Sequence, residues 1–114
     1  SEMYIYHFKL VIIGIQMIEL GGNIKLVGFK ELDPGTLVVV KKIIGTYARK
    51  ISDQAIKFQE LSLHIKSMGQ DKKNFEIHGK LVSDSGVLTS EVTNYNLFFA
   101  MDKVLSNIFT QAKK

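Results

Sequence analysis

The sequence predicts a small α+β domain, a two-layer sandwich in which two helices cover one face of a mostly antiparallel sheet. Several segments alternate apolar and polar residues, which is typical of strands with one buried face. Two other segments repeat apolar residues every three or four positions, which is typical of amphipathic helices. From residue 17 onward these segments follow the order β-α-β-β-β-α. The three consecutive strands should pair as a meander, and both helices must then bury their apolar stripes against the same sheet face.

The first predicted strand lies within residues 18–29, where apolar residues alternate with polar or small ones. Gly21 and Gly22 interrupt this alternation and predict a bulge or a turn. Asp33 and Pro34 then predict the start of a helix. An aspartate side chain can cap the first free backbone N–H groups, and proline suits the first helical position.

The first predicted helix extends from Thr36 to Gln54. The β-branched run Val38–Val40 lowers its helix propensity, but the start signal and the later apolar spacing favour a helix. Its apolar face consists of residues spaced three or four apart: Leu37, Val40, Ile44, Tyr47, Ala48 and Ile51.

Three further strands follow the first helix. Leu61–Ile65 and Phe75–Leu81 alternate apolar and polar residues and predict two half-buried strands. Met68–Lys73 is the predicted hairpin loop between them. Asp84–Gly86 predicts a tighter turn, after which Val87–Thr93 pairs back on the preceding strand.

Asn96 predicts the start of the last helix, because its side chain can cap the free N–H groups of the first turn. Lys113 and Lys114 follow at the other end, where the helix dipole favours cations. The apolar stripe of this helix consists of Leu97, Met101, Val104, Leu105, Ile108 and Ala112.

Residues 1–16 are predicted to form an apolar N-terminal extension to a single domain at residues 17–114. The extension is either native, vector-derived or the result of a non-native start. Its apolar run Leu10–Ile15 is shorter than the roughly 20 residues that span a bilayer, and it lacks the features of a signal peptide. Three alternatives stay open: the extension packs on its own domain, contacts a partner, for instance in a homodimer, or lacks fixed structure.

Composition narrows the classes of function. A chain of 114 residues with 46% hydrophobic and 23% charged residues corresponds to about one globular domain. It contains no cysteine, which excludes disulfides, thiol nucleophiles and thiolate metal sites and favours a reducing, cytoplasmic location. A net charge of +4 favours an anionic partner such as nucleic acid.

No group of residues predicts catalysis. The glutamates occupy exposed strand positions without forming an acid–base pair, and the glycines lack phosphate-loop spacing. His64 and His78 should face each other on the outer side of adjacent strands. They could bind a metal together with Glu76, contact RNA, or be ordinary exposed residues. The third interpretation is favoured, so we expect no metal, no cofactor and no enzymatic activity.

Basic residues form better groups than the acids. Lys42, Arg49 and Lys50 lie on the first helix opposite its apolar face. Lys66 and Lys80 accompany the two histidines on the outer sheet face. Both groups could contact a polyanion, with a steep dependence on salt. The alternative is an ordinary solvated surface.

The segment Asn96-Leu97-Phe98-Phe99-Ala100-Met101-Asp102 is similar to the Asp-Met-Tyr-Ala-Ala-Ile-Asp segment that opens the last helix of bacterial ribosome hibernation and ribosome-associated translation-inhibitor proteins. The order of elements over Met17–Lys114 also resembles that family. The resemblance implies a dsRNA-binding-like fold that docks on the small ribosomal subunit and blocks translation. It further implies phosphate contacts from basic residues of both helices: Lys42, Arg49, Lys50, Lys103 and Lys113. The last helix carries only Lys103 before its terminal lysines, fewer basic residues than the family usually has.

The leading functional hypothesis is therefore a cytoplasmic, non-catalytic domain that binds structured RNA or the small ribosomal subunit. The alternative is a protein-interaction or self-association module that uses the apolar segment Tyr4–Ile15 or an open sheet edge.

Overall fold

A computed structural model describes the backbone of residues 3–6, 9–12, 16–19, 23–29, 32–54, 56–68 and 73–113, and most side chains from residue 24 onward. The elements, in chain order, are β1 (Met3–Tyr6), β2 (Lys9–Ile12), β3 (Gln16–Glu19), β4 (Asn23–Val27), α1 (Pro34–Asp53), β5 (Phe58–Met68), β6 (Asn74–Ser83), β7 (Gly86–Asn94) and α2 (Leu97–Ala112).

The main sheet has five strands in the order β1-β4-β5-β6-β7. β4 and β5 are parallel and are connected through α1, as a parallel pair requires. The other neighbours in this sheet are antiparallel. The predicted α+β class and the β-α-β-β-β-α order are confirmed by this topology.

The first predicted strand is divided between two sheets. Gln16–Glu19 pairs with Lys9–Ile12 in a separate two-stranded sheet, and only Asn23–Val27 enters the main sheet. The sequence predicts an irregularity between the two pieces, but the alternation of apolar residues in each does not show that they join different sheets. The predicted irregularity at Gly21 and Gly22, like most of the predicted loop Met68–Lys73, lies outside the described residues.

The N-terminal segment contributes an edge strand to the main sheet. Met3–Tyr6 pairs antiparallel with β4, in a register that places Met3 opposite Val27. The strands within residues 3–12 therefore pair inside the chain, and these pairings give no support to the predicted homodimer. The boundary at residue 17 and the origin of residues 1–16 stay predictions.

Both helices begin where the sequence predicts. The Asp33 side chain accepts hydrogen bonds from the backbone N–H and the hydroxyl of Thr36, which lower the pKa of this carboxyl. The Asn96 side chain accepts from the N–H of Phe99 at 3.0 Å. The strand order makes β7 parallel to β4, and each of these strands leads into a helix. The two helices therefore start at the same end of the sheet and run in the same direction.

The core lies between the helices and one face of the sheet. The predicted stripes are buried, except that Leu37 and Ala112 are only partly covered. α2 crosses β6 closely at Gly79, where an added Cβ would lie 2.6 Å from Val104 Cγ1. The alternation in β5 and β6 leaves their other side chains on the face remote from the helices. The molecule thus offers two separate surfaces, the outer side of the helices and the outer side of the sheet.

Candidate functional site

The exposed face of α1 is basic from Lys42 to Lys50. Lys42 and Arg49 are seven residues apart, so they lie on one stripe about 10 Å apart along the axis, with Lys50 beside it. Lys42 and Lys50 are exposed and Arg49 is half-buried. The segment from Thr36 to Ser52 contains no acidic residue. This face therefore presents uncompensated positive charge along the helix, as the sequence predicts.

Aromatic contacts connect the basic residues of the two helices. The Lys50 ammonium lies 4.6 Å from the centre of the Tyr47 ring, and the Lys113 ammonium lies 5.5 Å from that of Phe109. The two rings meet edge to face with their centres 6.5 Å apart. Cation–π attraction thus holds Lys50 and Lys113 on either side of one aromatic pair. Sequence spacing alone did not predict this arrangement, because it depends on how the helices pack.

Tyr47 also joins the helices through its hydroxyl, which donates a hydrogen bond of 2.9 Å to Asp102 Oδ1. Burial of the ring raises the pKa of Tyr47, and the neighbouring carboxylate raises it further. This hydrogen bond engages Asp102, which is the one acidic residue within α2 and directly precedes the exposed Lys103. Tyr47 is only 8% exposed and therefore serves the core, as its place on the apolar face predicts.

Removing this hydroxyl tests whether it aligns the helices. We expect Tyr47→Phe to lower the free energy of unfolding by about 1 kcal/mol, because a net hydrogen bond is lost and Asp102 loses its partner. A shift of this size should lower the midpoint of thermal unfolding by about 4–8 °C. The matched control is Tyr95→Phe, which removes the same atom from a side chain that is 75% exposed. Equal midpoints for the two variants would contradict the role assigned to Tyr47.

Exposed apolar side chains flank the basic face at the end where both helices begin. Val38 and Val39 continue the stripes of Lys42 and Lys50 towards the N-terminus of α1. Tyr95, Phe98 and Phe99 are exposed at the start of α2. The sequence analysis did not single out these aromatics as an exposed group. Phe98 and Phe99 could have been found from their positions, since both lie off the apolar stripe of α2.

The predicted second basic patch lies on the outer face of the sheet, on the opposite side from the helices. His64 and His78 face each other directly, as predicted, with ring centres 6.4 Å apart. Burial, and then the nearby Lys66 and His78, lower the pKa of His64. Lys66 and Lys80 are exposed on the same face. The sheet thus separates these four residues from Lys42, Arg49, Lys50, Lys103 and Lys113, and the two groups cannot form one continuous surface.

Two carboxylates lie within this second patch. His78 Nε2 is 3.1 Å from Glu76 Oε2 and 3.6 Å from Glu91 Oε2. Hydrogen bonding with Glu91 and then with His78 lowers the pKa of Glu76. The sequence analysis treated Glu91 as an ordinary exposed residue. Counting back from the two-residue turn after Ser83 would have placed it opposite His78.

A shallow cavity of about 500 Å³ opens on this outer face. Its lining includes Ser62, His64, His78, Lys80 and Glu91. Its lining therefore carries side chains of both charges. Among the described helices, none is long and apolar enough to cross a membrane.

Comparison with known proteins finds similar structures but no similar sequence family. No protein-family model matches the sequence, and no curated protein matches it. Among solved structures, the Protein Y N-terminal domain of Thermus thermophilus superposes with a TM-score of 0.59 at 18% identity, covering 77% of this chain and 90% of that one. A ribosomal subunit interface protein from Coxiella burnetii superposes with a TM-score of 0.54 at 8% identity, covering 76% and 88%. At these identities the likeness concerns architecture, and the chain shares the fold of these two proteins.

Proposed function

We propose that this chain is a non-catalytic, cytoplasmic RNA-binding domain that docks on the small ribosomal subunit through the outer face of its two helices. The observation that carries the proposal is the basic face of α1, with Lys42, Arg49 and Lys50 and no acid between Thr36 and Ser52. Lys103 and Lys113 extend the same surface across α2. Its fold is also that of a ribosomal subunit interface protein.

Chemistry of the surface favours structured RNA. Lysine and arginine contact phosphates without reading the base sequence, so a rigid basic face recognises backbone shape. The aromatics Tyr95, Phe98 and Phe99 lie at the end of this face, where they could stack on unpaired bases. Such a combination suits ribosomal RNA, in which helices and unpaired nucleotides lie side by side. A domain bound there would obstruct other ligands of the subunit and so lower translation.

The outer sheet face contributes less to this function. Lys66, Lys80, His64 and His78 were predicted as a second RNA-binding patch. Glu76 and Glu91 lie at its centre and repel phosphates. We therefore assign RNA binding to the helices first.

Co-sedimentation with purified ribosomal subunits tests the proposal. We expect the chain to pellet with small subunits at about 50 mM salt and to leave them by about 200 mM, because five phosphate contacts give a log–log salt slope of roughly −3.5 to −4.5. A translation reaction supplemented with the chain should slow at the lower salt concentration. Absence from the small-subunit pellet at low salt, equal pelleting with large subunits, or binding that ignores salt would each overturn the proposal.

A further inference from the structure

Three potential metal ligands meet on the outer face of the sheet, away from the helices. Glu76 and His78 are two residues apart on β6 and therefore project from the same face. Glu91 on β7 is paired directly with His78 in the strand register. The three side chains thus come together without any contribution from a loop.

Their spacing suits a small, tetrahedrally coordinated ion. Bonds of about 2.0–2.1 Å from Zn²⁺ to nitrogen and oxygen place neighbouring ligand atoms about 3.3 Å apart in a tetrahedron. The two carboxylate oxygens lie 3.1 and 3.6 Å from His78 Nε2, on either side of that value. All three ligating atoms lie within 4.8 Å of one another. Little movement would be needed to close them around an ion.

The chemical types of the three ligands indicate which metal ion the site would bind. Ca²⁺ and Mg²⁺ take oxygen ligands, whereas imidazole together with carboxylate is typical of Zn²⁺ and its neighbours in the first transition series. Two carboxylates close to one imidazole also form a site that gains from positive charge, because like charges at this distance repel each other. The cationic Lys66 lies opposite Glu76 in the register and is exposed, so its ammonium can move into solvent when an ion binds.

The scaffold supports the ligands. β6 is paired along its length with β5 on one side and β7 on the other, which fixes the backbone positions of all three residues. His64 lies across from His78, and both line the cavity. Glu91 is exposed, so water can reach the site and complete the coordination.

We propose that Glu76, His78 and Glu91 form a Zn²⁺-binding site with one position left for water or a ligand. This site would give the outer sheet face its own role, independent of the helical surface. It also departs from the prediction drawn from the sequence, which favoured no metal site and considered His64 and His78 with Glu76 only as an alternative. The metal ligand set pairs His78 with two carboxylates, in place of the facing histidine.

Titration of the whole chain with Zn²⁺ tests the site. We expect uptake of one ion per chain and a higher midpoint of thermal unfolding, since an ion that binds only the folded state stabilises it. Substituting a residue that only hydrogen-bonds to a metal ligand typically lowers metal affinity 10- to 100-fold. His78 and Glu91 would be ligands themselves, so His78→Gln and Glu91→Gln should each lower zinc affinity by more than about 100-fold. The matched control is Glu60→Gln. Glu60 is another glutamate of the sheet, held by Lys25 at 3.0 Å, and its loss should leave zinc affinity unchanged.

A measurement on the parent chain tests the site even if the variants fold poorly. Imidazole nitrogen resonances should shift most at His78 when Zn²⁺ is added, and less at His64. The proposal is overturned if the parent chain takes up no Zn²⁺ in the micromolar range. It is equally overturned if His64 shifts more than His78, or if Glu60→Gln weakens uptake as much as Glu91→Gln does.

Discussion

Neutralising the three cations of α1 together, as Lys42→Gln, Arg49→Gln and Lys50→Gln, should weaken binding to small ribosomal subunits by about tenfold or more at low salt. Each lost phosphate contact removes about 0.7–0.9 from the log–log salt slope. The salt slope of the triple variant should therefore be less steep by about 2–3. Between about 50 and 200 mM salt, the factor by which its affinity falls should be roughly 20- to 40-fold smaller than for the parent chain. Sedimentation or fluorescence titration over that range of salt measures both quantities.

The control must remove the same net charge from outside the helices. Lys57→Gln, Lys66→Gln and Lys80→Gln take three exposed lysines from outside the helices. We expect this variant to keep most of the affinity and most of the salt slope. Circular dichroism should show both variants folded, because exposed substitutions seldom change stability by more than about 0.5 kcal/mol. Similar losses in the two variants would show that overall charge matters, and the surface assigned to α1 would then be wrong.

Replacing Gly28 with alanine should cost more stability than the same change at Gly86 or Gly35. Gly28 follows β4 with a φ of +84°, a conformation that costs other residues about 1–2 kcal/mol. An added Cβ would also lie 2.4 Å from the backbone carbonyl oxygen of Ile65, which cannot rotate away. Overpacking of this kind costs a further 1–3 kcal/mol or so of stability. The sum predicts that Gly28→Ala lowers the free energy of unfolding by about 2–5 kcal/mol.

Two other glycines separate the contributions of strain and contact. Gly86 has a φ of +133°, but an added Cβ there meets nothing within 4 Å, so Gly86→Ala reports the strain alone. Gly35 lies in the first turn of α1, where alanine has room and a better helix propensity. Urea unfolding should rank the losses as Gly28→Ala, then Gly86→Ala, then Gly35→Ala. A Gly28→Ala variant no less stable than Gly86→Ala would contradict the close approach to Ile65.

The sequence predicted best where structure depends on local interactions. Asp33 with Pro34, and Asn96 before its apolar stripe, indicated both helix starts because capping involves residues only three positions apart. The turn at Asp84–Gly86 likewise predicted the pairing of β6 with β7. A break at Gly21 and Gly22 was indicated, but the assignment of the two pieces to different sheets was missed, because it depends on which distant segments pair with Gln16–Glu19 and Asn23–Val27. No period in the chain encodes that choice.

The same distinction applies to the candidate sites. The face of α1 was predictable, since helical periodicity alone places Lys42, Arg49 and Lys50 away from the core. The link between Lys50 and Lys113 was not, because it depends on how Tyr47 and Phe109 meet across two helices. Glu91 was overlooked although its pairing with His78 follows from a turn that the sequence did indicate.

Placement of two lysines on one aromatic pair has a consequence for the energy of recognition. A free lysine side chain samples many rotamers, and fixing one at an interface costs about 0.5–1.5 kcal/mol of conformational entropy. Lys50 and Lys113 are already partly ordered by the rings of Tyr47 and Phe109. Part of that conformational entropy is therefore already lost on folding, before any partner binds. Phenylalanine at position 47 would retain the ring under Lys50, whereas leucine would remove it and make the same charge more costly to fix in a complex.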